Sequence, residues 1–527
     1  MRKYFLLFIV VLAYYQVSMA QDQTEYQNWV KKQEEEFKDF KDARDKEFLQ
    51  FLRLEWKQMR LSKGLVQDVV PKPPKPPVYL PSGARPEGVP IETPNGPRKP
   101  GRKPTDILQE QTSAESGHES DKGNVPPVRA SPISKDDANP VPGFTSSETP
   151  IIAPKFSMFF DYYGTRTSIG HNISQKPMLE GEPNKESIGV FWAGLSRTDY
   201  EILIDQMESH RKRMGLNDWG YCQLLYQWGK QIYSGRQNEA VLITWFLLSK
   251  SGFDARVGYS GGRIYLLLPT SNNLFYVSYF TIGKEEKRYY AIPLETNAKR
   301  VEGALFSYDG SYPGAEHQTD FSVKNTPILA DRVGEKRLTF EYDGSKHSIQ
   351  VAFNRDAVTY FENYPQTNFE VYFTSTPSPE AIRTLVAGLK PIVSGKSELE
   401  ATNILLRFVQ TAFEYQTDQE QFGREKPFFP EETIYYPYSD CEDRAILFAY
   451  LIRTLLGLDV VGLDYPAHIA TAVLFKSKVA GDGVIFKGRR YVICDPTFIN
   501  ANAGACMPSF KTVTPNIIQI ESKSVGY

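Results

Sequence analysis

Hydrophobic residues follow a helical spacing in one stretch late in the chain and fill two short runs after it. The helical stretch begins at Cys441 and extends to Leu455. Residues 469–475 and 491–494 are short runs rich in apolar side chains, which is typical of buried strands. The pattern therefore predicts one buried helix followed by two strands of a small sheet.

Three chemically active residues stand at the ends of these predicted elements. Cys441 opens the helix, His468 precedes the first strand, and Asp495 follows the second strand. Taken singly, each of them is more often structural than catalytic. Together, a thiol, an imidazole and a carboxylate in this order are the parts of a Cys-His-Asp acyl-transfer site. We therefore predict that these three residues are catalytic.

The start of the predicted helix favours a thiolate at Cys441. Ser439 and Glu442 have the spacing of a capping box, which places Cys441 in the first turn. The unpaired backbone N–H groups there, together with a protonated His468, are expected to lower the pKa of the thiol.

Three acidic residues around the cysteine oppose this effect. We expect the side chains of Asp440, Glu442 and Asp443 to point away from the sulfur. Glu442 or Asp443 is expected to pair with Arg444, with Arg453 or with the start of the helix, because each of these offers positive charge or free donors to a carboxylate.

An oxyanion site needs at least two hydrogen-bond donors near the nucleophile. The backbone N–H of Cys441 is the first expected donor, because it is unpaired at the helix start. The second is expected from the tyrosine-rich loop before the helix, where Tyr436 and Tyr438 are the candidates.

The second half of the chain repeats the pattern of the first half. The four matching pairs of segments, in chain order, are 156–169 with 338–349, 188–192 with 369–373, 219–232 with 401–413, and 239–254 with 444–459. In this alignment Arg236 occupies the position of Cys441, and Arg263 occupies that of His468. A guanidinium is neither a nucleophile nor a neutral base, so the first copy is predicted to keep the fold without the chemistry.

The N-terminus has the three parts of an export signal. Arg2 and Lys3 are followed by an apolar run over residues 5–15 and by small residues near Ala20. We predict a signal peptide over residues 1–20, cleavage before Gln21, and export to the periplasm, the cell envelope or the medium. An uncleaved anchor is the alternative.

Two segments of different character precede the repeated part. Residues 21–64 are charged and amphipathic, and residues 23–62 are predicted to be helical, either as a self-association helix or packed on the chain's own domains. Residues 65–154 are rich in Pro, Gly, Ser and charge, which predicts a mostly disordered linker.

Composition excludes several other classes of function. The 527 residues carry a formal net charge of −2, so there is no basic excess to bind nucleic acid. Four cysteines do not make a disulfide framework at this length, although Cys494 and Cys506 could pair. No group of histidines has the spacing of a zinc site, and no acidic loop has that of a calcium site.

Residues 395–510 resemble the transglutaminase-like superfamily, whose core is the papain-like α+β fold of cysteine enzymes. The resemblance rests on the segments 440–443, 457–464, 467–473 and 491–497. The chain looks like the exported bacterial branch of that superfamily. The resemblance implies an α+β protein with two tandem domains, each with a core helix packed on a small antiparallel sheet. These are a degenerate domain over residues 155–325 and an intact one over 326–527.

The resemblance also implies the roles of the three residues. Cys441 would form an acyl-enzyme with a protein or peptide substrate, His468 would act as base and then acid, and Asp495 would orient the ring. The expected function is a cysteine peptidase or amidase that needs no metal or organic cofactor. The alternatives are a glutamine transamidase or deamidase, and a non-catalytic binding or scaffold protein of the cell envelope.

Overall fold

The computed structural model describes residues 43–54, 56–60, 62, 65, 72–79, 153–282, 287–295, 301, 304–330 and 332–520. The predicted signal peptide lies outside these residues, as does most of the predicted linker. Within the described ranges, none of the helices combines the length and the apolar character that a bilayer span requires.

The described residues form two compact units. The first contains the described residues up to 65 together with Lys155–Ser322 and Asn363–Thr367. The second contains residues 72–79, Val323–Glu362 and the described residues from Asn368 onward. Each unit combines helices with antiparallel sheet, so the α+β class expected from the sequence is confirmed.

The first unit opens with a hairpin, continues with four helices and ends with a sheet. The hairpin and helices are β2 (Phe156–Tyr162), β3 (Thr165–His171), α1 (Lys185–Ser196), α2 (Glu201–Met214), α3 (Asp218–Ile232) and α4 (Gln237–Lys250). The sheet strands are β1 (Lys57–Arg60), β4 (Arg256–Ser260), β5 (Arg263–Pro269), β6 (Tyr279–Ile282), β7 (Lys287–Ala291) and β8 (Ala304–Ser307).

The second unit has the same sequence of parts with more helices. Its N-terminal part comprises β9 (Val333–Tyr342), β10 (Ser345–Asn354), α5 (Arg355–Glu362), α6 (Phe369–Thr374), α7 (Pro379–Val393) and α8 (Glu398–Thr411). Short elements follow as β11 (Glu414–Tyr415), α9 (Asp418–Phe422), α10 (Pro430–Tyr435) and β12 (Tyr438–Ser439). The core helix and sheet are α11 (Cys441–Leu451), β13 (Asp459–Tyr465), β14 (His468–Leu474), β15 (Gly483–Phe486), β16 (Arg489–Cys494) and β17 (Asn516–Gln519).

The two sheets share one strand order. The first runs β1-β8-β4-β5-β7-β6, and the second runs β17-β13-β14-β16-β15, with antiparallel pairing throughout. With β1 set aside, β8 corresponds to β17, β4 to β13, β5 to β14, β7 to β16, and β6 to β15. This correspondence agrees with the repeat seen in the sequence.

The helix α11 is buried along its whole length, as is α4 from Glu239 to Ser249. A helix that is apolar on every side is stable only when its neighbours cover all of it. After Leu451 the chain widens into a π-helical turn over Ile452–Leu456 and ends at Gly457, whose φ of 63° suits a residue without a Cβ. The next residues enter β13, which lies beside β14.

The N-terminal segment differs from the long helix that the sequence predicts. Residues 43–52 are helical, but residues 57–60 form a strand that pairs with β8. The side chain of Phe48 is 1% exposed and packs edge-on against Trp192, with ring centroids 4.7 Å apart. For the described part of the segment, packing on the chain's own domain is therefore the correct alternative. Phe37 and Phe40 lie outside the described residues.

Residues 72–79 also differ from expectation. The sequence places them in a disordered linker, yet they lie against the second unit through backbone and side-chain contacts. Their partners are the backbone of the loop after β16 and an acidic pocket.

We predict that Phe48→Ala lowers the free energy of unfolding of the first unit by about 3–5 kcal/mol, because it removes a fully buried ring. The matched control is Leu54→Ala, whose side chain is 60% exposed and which should cost less than about 0.5 kcal/mol. All the tryptophans of the chain precede residue 246, so urea unfolding followed by tryptophan fluorescence reports on this unit. Equal effects of the two substitutions would contradict the packing described.

Candidate functional site

The three residues singled out from the sequence lie at the ends of three elements of the second unit. Cys441 is the first residue of α11, which packs against β14. His468 is the first residue of β14. Asp495 directly follows β16, the neighbour of β14.

His468 and Asp495 form a buried pair. Nε2 of the ring lies 2.8 Å from Oδ2 of Asp495, and the two side chains are 7% and 3% exposed. The imidazole stacks flat on Phe510, with ring centroids 5.2 Å apart and an interplanar angle of 2°. Because an ionised carboxylate can only accept, Nε2 is the donor, and in the neutral ring Nδ1 is the nitrogen available as a base.

The second oxygen of Asp495 fixes its own loop. Oδ1 accepts from the backbone N–H of Thr497 at 2.9 Å and of Phe498 at 3.2 Å. This local turn leaves Oδ2 directed at the imidazole. A carboxylate with both oxygens engaged is held in one rotamer, which orients the ring it binds.

Gln410 on α8 anchors the same loop. Its Nε2 lies within hydrogen-bonding distance of three backbone oxygens, at 3.0 Å from Asp495, 2.8 Å from Phe498 and 3.1 Å from Ala501. No sequence pattern indicates this role, since the residue lies on a helix 85 positions before the aspartate.

The cap of α11 is shifted by one residue from the predicted one. Asp440 is the N-cap, and Oδ2 of Asp443 accepts from its backbone N–H at 3.1 Å. Ser439 instead accepts a hydrogen bond from Nε of Arg444 at 3.2 Å. The predicted box was wrong because aspartate caps as well as serine does. Cys441 still occupies the first turn.

The thiol of Cys441 has a carboxylate as its partner. Its Sγ donates to Oε2 of Glu442 at 3.0 Å, and the residue is 2% exposed. Burial raises the pKa of the thiol well above its usual value, and the negative charge of Glu442 raises it further. From the sequence we predicted a lowered thiol pKa, because the acidic side chains were expected to point away from the sulfur.

Within the part of the chain that the structure describes, no hydrogen bond joins Cys441 to His468. His468 is paired with Asp495, whereas the thiol of Cys441 is paired with Glu442.

A lysine from the N-terminal part of the chain neutralises the acids beside the thiol. Nζ of Lys72 lies 2.9 Å from Asp440 and 2.9 Å from Glu425, and it also contacts Glu442. Burial alone would lower the pKa of Lys72, but Glu442 and Asp440 raise it well above its usual value. The ammonium is therefore fully charged at neutral pH.

Asp440 and Glu442 shift each other's pKa in opposite directions. Burial and the charge of Glu442 raise the pKa of Asp440 to about 7. Burial opposes ionisation of Glu442, but Lys72 and the hydrogen bond from Asp440 lower its pKa overall. Near neutral pH, Glu442 is therefore the ionised member that faces both the thiol and the ammonium.

Of the partners predicted for Glu442 or Asp443, the helix start is the one observed, since Asp443 accepts from the backbone N–H of Asp440. The two arginines bind elsewhere. Arg444 donates to the backbone oxygens of Gln410 at 3.2 Å and Phe413 at 2.8 Å. Arg453 donates to the backbone oxygen of Phe373 at 2.6 Å. Both guanidiniums thus bind carbonyl groups exposed at the ends of other elements.

Acidic residues from distant segments meet at this point, although no single loop has a metal-binding spacing. Ligand atoms of Asp418, Asp440 and Asp443 lie within 4.8 Å of one another, as do those of Asp418, Glu425 and Glu442. Burial raises the pKa of Asp418 and of Asp443 well above the usual value. The ammonium of Lys72 supplies the positive charge here.

The two candidate oxyanion tyrosines have different surroundings. Tyr436 is 1% exposed, stacks on Phe428 at 4.8 Å, and has a hydroxyl without a hydrogen-bond partner among the described residues. Tyr438 is half-buried in β12 and pairs with Glu414. Neither has a hydrogen bond to Cys441 in the described structure.

The corresponding positions of the first unit carry no such group. Arg236 directly precedes α4 and has a side chain that is 63% exposed, and Arg263 is the first residue of β5. By helix start, Gln237 rather than Arg236 matches Cys441, a shift of one residue from the sequence alignment. Neither residue type is a nucleophile.

All four cysteines are free and buried. Cys494 and Cys506, whose pairing the sequence left open, are therefore not bridged in this structure. Cys506 packs in a cluster with Tyr465 and Tyr491 on one face of the sheet. Both behave as small apolar residues.

Comparison with known proteins finds no matching family model, no matching curated protein and no matching solved structure.

We predict that the second unit loses stability as the pH rises from 5 to 8. The pKa values of Asp440 and Glu431 are raised to about 7 by burial, so the folded state binds more protons than the unfolded state above pH 4. That stabilisation is present at low pH and is lost as the pH rises through 7, by about 3 kcal/mol for each carboxyl.

The first unit provides the internal control for this measurement. Lys287 and Tyr289 outweigh burial and lower the pKa of Asp254, so its contribution is lost only as the pH falls through about 4. Urea unfolding at several pH values, followed by far-UV circular dichroism and by tryptophan fluorescence, separates the units. A far-UV transition that is flat or that strengthens toward pH 8 would contradict the assignment.

We also predict that Glu442→Gln speeds the alkylation of Cys441 about tenfold at pH 7.5, because it removes the charge that raises the thiol pKa. Glu425→Gln is the matched control, since Glu425 contacts Lys72 but not the sulfur. The rates are measured with iodoacetamide and site-resolved mass spectrometry. Unchanged or slower alkylation of the Glu442→Gln chain would sink the prediction.

Proposed function

We propose that the chain is an exported, thiol-dependent amide-bond enzyme, a cysteine peptidase or amidase that acts through an acyl-enzyme at Cys441. The observation that carries the proposal is the buried His468–Asp495 pair, 2.8 Å apart, at the ends of two neighbouring strands, of which β14 packs on the helix that Cys441 opens. A histidine held by a buried carboxylate and stacked on an aromatic ring is the orienting half of an acyl-transfer site.

The reaction would proceed in two steps. The thiol proton passes from Cys441 to Nδ1 of His468, and the thiolate attacks the substrate carbonyl. The amide C–N bond breaks, the leaving amine takes the proton from the imidazolium, and a thioester forms. Water then gives a proton to His468 and hydrolyses the thioester, which restores the thiol and releases the acid.

The helix start would stabilise the negative charge that develops on the substrate oxygen. The backbone N–H of Cys441 is at the first helical position, where no preceding carbonyl of the helix can accept from it. Such a donor, aimed at a developing oxyanion, is worth about 3 kcal/mol in comparable sites.

Activation requires the thiol to exchange partners. In the resting arrangement Sγ donates to Glu442, so a rotation about the Cα–Cβ bond must turn it toward the imidazole. The exchange replaces a carboxylate that raises the thiol pKa by a ring that lowers it. The thiolate–imidazolium pair would thus form only after this rotation.

The resemblance of residues 395–510 to the transglutaminase-like superfamily supports the same chemistry, and the N-terminal pattern supports export. Water is the default acceptor for a thioester, so hydrolysis is the preferred outcome. An amine acceptor in its place would give transamidation, and a glutamine side chain as the amide would give deamidation.

A non-catalytic binding protein is the second candidate function. The observation that favours it is the hydrogen bond from Cys441 to Glu442, together with a thiol pKa raised by burial. The first unit keeps the strand order with Gln237 and Arg263 at the positions of Cys441 and His468, so the fold does not depend on those two residues.

Thiol labelling separates the two candidates without any knowledge of the substrate. We expect a thiol-selective electrophile to modify Cys441 at least about tenfold faster than Cys506, although Cys506 is the more exposed of the two. His468→Ala should remove the difference, because the base is lost. Equal, slow labelling of both cysteines, or labelling that is insensitive to His468→Ala, would favour the binding protein.

A further inference from the structure

Residues 72–79 cross the second unit beside the candidate site. Their two ends are fixed to the two segments that carry the reacting groups, one next to Cys441 and the other just after Asp495. Between them, the hydroxyl of Tyr415 donates to the backbone oxygen of Pro73 at 3.1 Å. The groups that make these contacts form the surface that we call the groove.

The N-terminal end of the segment is held by charge. The side chain of Lys72 is 10% exposed and its ammonium is surrounded by Glu425, Asp440 and Glu442. Glu442 accepts from the Cys441 thiol through its other oxygen. The ammonium and the thiol therefore share one carboxylate.

The C-terminal end is held by an isolated β-bridge to the loop after β16. Ile499 donates to the oxygen of Pro77 at 2.8 Å, and the N–H of Tyr79 donates to the oxygen of Ile499 at 2.7 Å. The ring of Tyr79 packs edge-on against Phe498, with centroids 5.5 Å apart. The N–H of Phe498 also donates to Oδ1 of Asp495. The backbone pairing at Ile499 therefore lies next to the residue that holds Asp495.

We propose that this groove is a peptide-binding site that selects an extended segment bearing a lysine followed by prolines, and that the chain's own residues 72–79 occupy it. The three carboxylates select a lysine, because a buried acidic pocket is costly without a matching cation. The backbone pairing at Ile499 takes any extended chain, and prolines pre-form that conformation at low entropic cost.

The contacts explain why prolines are accepted. Apart from Lys72 and Tyr79, the segment contributes backbone oxygens, those of Pro73 and Pro77, which need no N–H group. Lys75 in the same segment is exposed. The site therefore recognises one of the two lysines.

The test compares full chains in which the segment is loosened. A fluorescent synthetic peptide with the sequence of residues 70–80 is titrated into the wild type, Lys72→Gln and the matched control Lys75→Gln, and its anisotropy is measured. We expect the Lys72→Gln chain to bind the peptide at least about tenfold tighter than the wild type or the control, because its own segment no longer competes.

Tyr79→Ala is the second loosened variant, because it weakens the other end of the segment and leaves the acids paired. The Tyr79→Ala chain should also bind the peptide more tightly than the wild-type chain does. A second peptide that carries Lys72→Gln should bind the Tyr79→Ala chain at least about tenfold more weakly than the first peptide does. Equal binding to all chains, equal binding of the two peptides, or no binding to either loosened variant would overturn the proposal. Binding needs no turnover, so these outcomes are independent of whether Cys441 proves to be catalytic.

Discussion

The buried acids at the start of α11 are stable only because a cation lies among them. Asp440, Glu442 and Asp443 follow one another around Cys441, and all are almost fully buried. Lys72 supplies the positive charge, and the protons that Asp440 keeps to about pH 7 remove part of the negative charge. Burial raises the pKa of the Cys441 thiol, Glu442 raises it further, and Lys72 opposes the rise.

In the repeated fold, the apolar residues that build the helix and the sheet are distinct from the residues at strand ends and helix starts. Both units place a buried helix before strands of the same order, although the first has Arg263 where the second has His468. Packing constrains the apolar faces of these elements, whereas the residues at strand ends and helix starts contact solvent or each other. The residues at these positions can therefore differ between the two units without a change in strand order.

The sequence was sufficient for the elements whose signal is local and insufficient for contacts made by distant segments. Apolar runs predicted α11, β14 and β16, and the order of the chain placed His468 and Asp495 at adjacent strand ends. The direction of Glu442 was mispredicted, because its partner Lys72 lies about 370 residues earlier in a stretch whose composition indicates disorder. Proline-rich composition shows that a segment does not fold alone, but it does not show what the segment binds.

The same charge balance limits what can replace the segment in the groove. The ammonium of Lys72 lowers the pKa of Glu442 and the pKa of the Cys441 thiol. If Lys72 left and nothing entered, both groups would lose this effect. An uncharged occupant would not replace the charge of Lys72. The pKa of Glu442 and the pKa of the Cys441 thiol would then both rise, and the thiolate would become harder to form. A lysine-bearing occupant restores the ammonium beside Glu442, so the groove would favour the peptides that also keep the thiol closest to ionisation.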